Sequence, residues 1–466
     1  MAIRNRKDFI GLSRSPMMNN YLSDQEAQTG VIPEKPQHKF SGLLDKNVLS
    51  WFIQNIPTLF RSHADYTTYN KGEGVFAMTS TSGKNNARMA LLADWASCTV
   101  ESERVAGLVK NKTPDYSIHL GDTYFIGNEK QVEENFGKQG AWHYAPNGSF
   151  ALLGNHEMYS GGEAYFKNLL PYMGIKVDGK ITSPQKAPFF CLENDYWRVI
   201  GIDTGYDCLS GLFQNNVGLK LPTKLINWLE DTVKLNDDKR GLIFLSHHQY
   251  CSAFKQLPGT QYDWFNEAEF QHPAIDLAKI IGQNRPVLWL WGHEHRLAIY
   301  GSYQAAGGIT AFGRCIGNGG MPCDLVYNPS KAFGLDLSSH DGDEIQYDPK
   351  QVNARKIQAQ KSNLVLHDNR LGEEVSGVRL GHNGYTMLSF NNEALTIDYY
   401  DDILPTPITA EQQPIITEKW SVNTATGQLK GISIVDNTKG GHPNDDSDKT
   451  RLFHFSPNIN DAITIK

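Results

Sequence analysis

Five short apolar runs in this sequence end the same way, in a residue able to hold a metal ion. Met89–Ala93 runs into Asp94, and Tyr116–Leu120 into Gly121-Asp122. Phe150–Leu153 runs into Gly154-Asn155-His156-Glu157, and Leu242–Leu245 into Ser246-His247-His248. Val287–Trp291 runs into Gly292-His293-Glu294-His295. Short apolar runs bounded by polar or glycine-rich residues fit strands buried on both faces. Helix-like stretches separate several of them. Lys224–Val233 places Leu225, Trp228, Leu229 and Val233 on one face, and Ala274–Ile281 is a second such stretch. Strands alternating with helices predict an α/β fold. In open α/β sheets, sites form beyond the carboxyl ends of the strands. Five strand ends would then deliver Asp, Asp, Asn/His, His and His/His to one rim.

The spacings suit that chemistry. His293 and His295 are two residues apart, so along an extended segment they point to the same side and each can reach a different metal. The glycines before Asp122, Asn155 and His293 allow tight turns and close backbone approach. A carboxylate has two oxygens, so Asp122 is the natural bridge between two ions about 3.5–4 Å apart that clamp a phosphate. The oxygen and nitrogen donors suit Mn, Fe or Zn, and the absence of cysteine argues against a structural zinc site.

The ordered set Asp94, Gly121-Asp122, Gly154-Asn155-His156-Glu157, His247 and Gly292-His293-Glu294-His295 resembles the calcineurin-like metallophosphoesterases over about residues 74–320, with closing strands to about 400. The resemblance implies a four-layer α/β/β/α sandwich of two mixed sheets. It implies a metal-dependent phosphoesterase carrying two divalent ions, in which a metal-bridging hydroxide attacks phosphorus. It assigns Asp94, Asp122, Asn155, His247, His293 and His295 as ligands, and Asp122 and His156 as catalytic, His156 toward the leaving group. Asn155, His156 and Arg314 would contact substrate. Of the adjacent pair His247 and His248, the family pattern favours His247. A phosphodiesterase acting on a nucleotide or phospholipid head group, and a degenerate member serving as a binding or scaffold protein, are the alternatives.

Asp94-Trp95-Ala96 looks like the purple-acid-phosphatase branch, where a tyrosine three residues after the aspartate binds ferric iron. Here that position is Phe125, which cannot ligate. Tyr124 is off by one, and its side chain is expected to point elsewhere. The first metal position is therefore expected to be one ligand short, with Asp94, Asp122 and His295, weakly occupied and colourless. The second, Asp122, Asn155, His247 and His293, reads as complete. Arg314, in Gly313–Gly320, reaches a substrate phosphate from a glycine-rich loop or is a structural arginine. His119 is expected to be buried and Asp203 to support the site. Glu157 and Glu294 are expected behind the ligands or facing solvent, and Trp289, Trp291 and Tyr124 in sheet packing.

Around this region, residues 1–73 read as an arm with an amphipathic helix over 43–56, closed by Pro57. Residues 74–400 read as the catalytic domain with a polar insertion about 338–382, and 401–466 as a β-rich extension. Strands are expected at Tyr385–Phe390, Leu395–Tyr400, Lys419–Val422 and Gly431–Val435, and a solvated loop at Asn444–Asp448. A formal net charge of −7 gives no overall attraction to nucleic acid, and the partner that the resemblance implies is a small or surface phosphate ester. No apolar stretch is long enough to span a membrane, and no apolar run follows the basic residues Arg4, Arg6 and Lys7. Six cysteines without a CxxC pair predict reduced thiols and a cytoplasmic location.

Overall fold

The computed structural model describes residues 63–124, 126–208, 221–254, 272–305, 307–323, 325, 362–375, 378–407, 410–438, 450–456 and 458–464. The expected helix over 43–56, Phe125 and the loop at Asn444–Asp448 lie outside them. Two nine-stranded sheets dominate the described residues. In one, Trp197–Gly201, Gly241–Ser246, Val287–Trp291 and Thr310–Ile316 run parallel as neighbours. In the other, Arg88–Leu92, Tyr116–His119 and Gly148–Ala151 run parallel. Antiparallel strands extend the second sheet on both sides, among them Gly384–Asn391 and Ala394–Asp401. Both sheets are therefore mixed.

The side-chain alternation of a strand explains why the apolar runs are continuous. Met89, Leu91 and Ala93 belong to the core shared by the two sheets, whereas Ala90 and Leu92 face the outer layer. The same split separates Phe150 and Leu152 from Ala151 and Leu153. Helix Val100–Asn111 covers the second sheet with Val105, Ala106, Leu108 and Val109, capped by the Thr99 side chain. Thr223–Trp228 and His272–Ile281 pack Leu225, Trp228 and Leu277 against the first. Helix, sheet, sheet, helix is the expected four-layer sandwich.

Two stretches join the sheets more closely than their composition suggested. Within 338–382, Leu364–His367 is a buried strand paired with Leu297–Gln304. After 401, Ile416–Asn423 and Gln428–Asp436 continue the second sheet directly. Among the described residues, no helix is long and apolar enough to cross a membrane.

Arg314 corrects the sequence reading. It lies on strand Thr310–Ile316, not on a glycine-rich loop, and is fully buried. Its guanidinium donates to both Glu418 oxygens, at 2.7 and 2.8 Å, across the gap between the sheets. Glu418 also accepts from the Tyr399 hydroxyl and the Trp420 indole. Every charge-bearing group of the pair is satisfied, so Arg314 has no capacity for a substrate phosphate. Removing one partner strands a buried charge, which costs about 3–5 kcal/mol. Arg314→Met should lower the chemical denaturation midpoint accordingly, and the double variant Arg314→Met/Glu418→Met should recover much of the loss. Equal destabilisation by single and double variants would contradict the pairing.

Candidate metal centre

The carboxyl ends of six parallel strands, three from each sheet, meet at one rim. The turns beyond them are tight enough to force unusual backbone. Asp94, Asp122 and His293 have φ of 55, 70 and 65°, a left-handed conformation that costs a non-glycine residue about 1–3 kcal/mol when strained. The surroundings hold it in place: the Asp94 carboxylate accepts the His293 backbone N–H at 2.7 Å, tying one sheet's turn to the other's. Gly121 and Gly154 are packed so closely that a Cβ at Gly154 would lie 2.2 Å from Asp122 Oδ1, and one at Gly121 2.7 Å from the Gly154 nitrogen.

Asp122 sits at the middle. Its Oδ1 lies 3.2 Å from His247 Nε2 and accepts the His156 backbone N–H at 3.0 Å. Its Oδ2 accepts from the Tyr124 hydroxyl at 3.1 Å. Burial alone would raise this carboxyl, but His247, His156 and His293 together hold it well below the usual carboxylate range. His247 is fully buried, and its Nδ1 donates to the Leu120 carbonyl at 2.9 Å. That bond turns Nε2 toward Asp122 and toward Asn155 Oδ1 at 3.1 Å. Burial would lower His247, but the Asp122 charge lifts it to about 9. The Asn155 amide is oriented in turn by donation to the Tyr159 hydroxyl at 3.3 Å.

Tyr124 is the main correction. Its hydroxyl does not point away: it lies 2.7 Å from Asp94 Oδ1 and 2.8 Å from His295 Nε2, besides the contact with Asp122. The cause is local pairing. Thr123 bridges to Ala96, and the Tyr124 N–H donates to the Ala96 carbonyl at 3.0 Å, which swings the ring inward one residue earlier than the family pattern. Ala96 thus contributes its backbone to this turn. The two histidines of the last motif turn to different partners. His293 lies against His247, with ring centroids 5.2 Å apart, while His295 joins Asp94 and Tyr124.

Behind these groups, Glu157 and Glu294 are buried anchors that do not face solvent. Glu157 Oε2 accepts the backbone N–H groups of Gly154 and Asp122. Burial and the Asp122 charge raise its carboxyl to about 7. Glu294 accepts from Ser252 and Trp291. Asp203 folds its own turn by accepting from Gly205 and Tyr206. His119 points to the outer layer, boxed by Trp95, Phe136 and Trp142, where burial pushes it down to about 3. His156 is partly exposed and held between the rings of Tyr124 and Tyr159.

The donor chemistry fits divalent first-row metals. Asp94, Asp122 and His247 bring donor atoms within 4.8 Å of one another, and so do His247, His248 and His293. Carboxylate, amide, phenol and imidazole donors converge, with no thiolate among them. Sequence reasoning missed Tyr159, assigned Tyr124 to sheet packing and passed over His248 in favour of His247. Tyr159, two residues beyond Glu157, carried no motif signal of its own.

Residues 87–297 match the family described as calcineurin-like phosphoesterase. The chain therefore carries a calcineurin-like phosphoesterase domain. That domain is a metal-dependent phosphoester hydrolase. Among solved structures, one similar chain is GAP50, the anchor in the inner membrane complex of Plasmodium. It is 14% identical, with 73% of this chain and 90% of that chain covered, at a TM-score of 0.42. The purple acid phosphatase PPD1 from yellow lupin (Lupinus luteus) seeds is 13% identical over 70% of this chain and 52% of that one, at 0.39. PhoD is 12% identical over 75% and 72%, at 0.42. No curated protein matches the chain significantly.

Proposed function

We propose that this chain is a dinuclear metal-dependent phosphoesterase acting on a small or surface-exposed phosphate ester. The observation that carries this reading is Asp122. It stands between two groups of donors, with one oxygen toward His247 and the other toward Tyr124. Asp94, Asp122, Tyr124 and His295 would hold the first ion, and Asp122, Asn155, His247 and His293 the second. Bound ions of this kind neutralise phosphoryl oxygens and acidify water to supply a nucleophile at neutral pH. The chain's own groups do the rest. Asn155 and His156 face the substrate side of the rim. The His156 ring, clamped by Tyr124 and Tyr159, donates a proton to the leaving oxygen. None of the six cysteines is in a disulfide and five of them are buried, which supports a reducing compartment such as the cytoplasm.

Metal analysis of the purified protein, with turnover of p-nitrophenyl phosphate and bis-p-nitrophenyl phosphate, tests the proposal. Metal bound with preferred monoester hydrolysis is expected. Preference for the diester would favour a phosphodiesterase, and metal-loaded protein inert to both would overturn the enzymatic reading. His156→Ala should keep its metal yet lose on the order of 10²–10⁴-fold in rate, most with poor leaving groups. Equal losses for aryl and alkyl phosphates would count against a proton donor.

A further inference from the structure

The second metal position has a neighbour that the family pattern leaves out. His248 is 3% exposed, and its ring centroid lies 4.9 Å from that of His247 and 4.7 Å from that of His293. Donor atoms of the three rings fall within 4.8 Å of one another. The orientation of His248 is built. The Thr204 hydroxyl oxygen accepts its backbone N–H at 3.0 Å and lies 3.2 Å from its Nδ1. Thr204 in turn is fixed by the Asp203 turn and by Gly205, where a Cβ would come within 2.4 Å of the Leu153 carbonyl oxygen.

We propose that His248 is a third imidazole ligand of the second position, oriented by Thr204. This inference rests on the metallophosphoesterase reading of the site. Donation of Nδ1–H to Thr204 would make Nε2 the nitrogen that His248 offers an ion, the arrangement that Leu120 imposes on His247. Three imidazoles, an amide oxygen and a shared carboxylate make a nitrogen-rich set. Such a set favours Zn(II), Co(II) or Fe(II) over Mn(II) and Mg(II), which prefer oxygen.

The test uses the full chain, stripped of metal and titrated with Zn(II), Co(II) and Mn(II) by calorimetry, with the visible Co(II) spectrum recorded. His248→Ala should weaken Zn(II) and Co(II) at the tighter position by about 10–100-fold and shift the Co(II) bands, with a smaller change for Mn(II). Thr204→Val keeps the shape of residue 204 and should weaken Zn(II) in the same direction by less. It carries the test if His248→Ala does not fold. His293→Ala is the control. Unchanged affinity and Co(II) bands in His248→Ala, or in Thr204→Val where only that variant folds, beside a clear loss in His293→Ala would overturn the inference alone. No loss in His293→Ala would instead overturn the reading of the second position itself.

Discussion

Asp122→Asn should lose metal from both positions and at least about 10³-fold in phosphatase rate, some 4 kcal/mol of transition-state stabilisation. The substitution is nearly isosteric. Its amide oxygen can still accept the His156 backbone N–H that the carboxylate accepts at 3.0 Å, so the turn is expected to survive. What it removes is the negative charge shared between the two donor groups. Asn155→Ala and His293→Ala should empty only the second position and also abolish turnover. Elemental analysis and p-nitrophenyl phosphate hydrolysis read all three variants, with circular dichroism confirming the fold. Full metal content and activity in Asp122→Asn would rule out Asp122 as the bridging group.

The rim was legible because strands buried on both faces write continuous apolar runs, and the residue after each run is where a site can form. Of the five runs that end in candidate ligands, Val287–Trp291 matches its strand's limits, three others fall within one residue of theirs, and Phe150–Leu153 is displaced by two. Arg314 was misread for an equally physical reason. Gly313 looks like loop composition, but it is glycine because the Trp291 ring of the neighbouring strand would lie 2.6 Å from a Cβ there. The partner that neutralises Arg314 is 104 residues away in sequence, beyond any local pattern. Helix Val100–Asn111 shows its apolar positions in the sequence, but Glu101, Ser102, Glu103 and Arg104 at its start masked them. Tyr124 depended on a single bridge, Ala96 to Thr123, that no local pattern announces.

That last correction reverses an expectation about colour. Counting residues from Asp122 predicts an iron site without a phenol and hence a colourless protein. With the Tyr124 hydroxyl 2.7–3.1 Å from Asp94, His295 and Asp122, the proposed first position gains a fourth candidate donor. Burial first, and then the Asp94 and Asp122 charges, push this phenol well above its ordinary value, so without metal it stays protonated and donates to the carboxylates. A ferric ion must displace that proton, and its apparent affinity should therefore rise with pH. Protein loaded with Fe(III) should show a phenolate-to-iron absorption band in the visible. Tyr124→Phe keeps the ring that packs on His156 but removes the donor. It should lose the band, bind the first ion about 10–100-fold more weakly, and release it ahead of the second under chelation. A colourless Fe(III)-loaded wild type, or a coloured Tyr124→Phe variant, would show that the hydroxyl serves the carboxylates and not the metal.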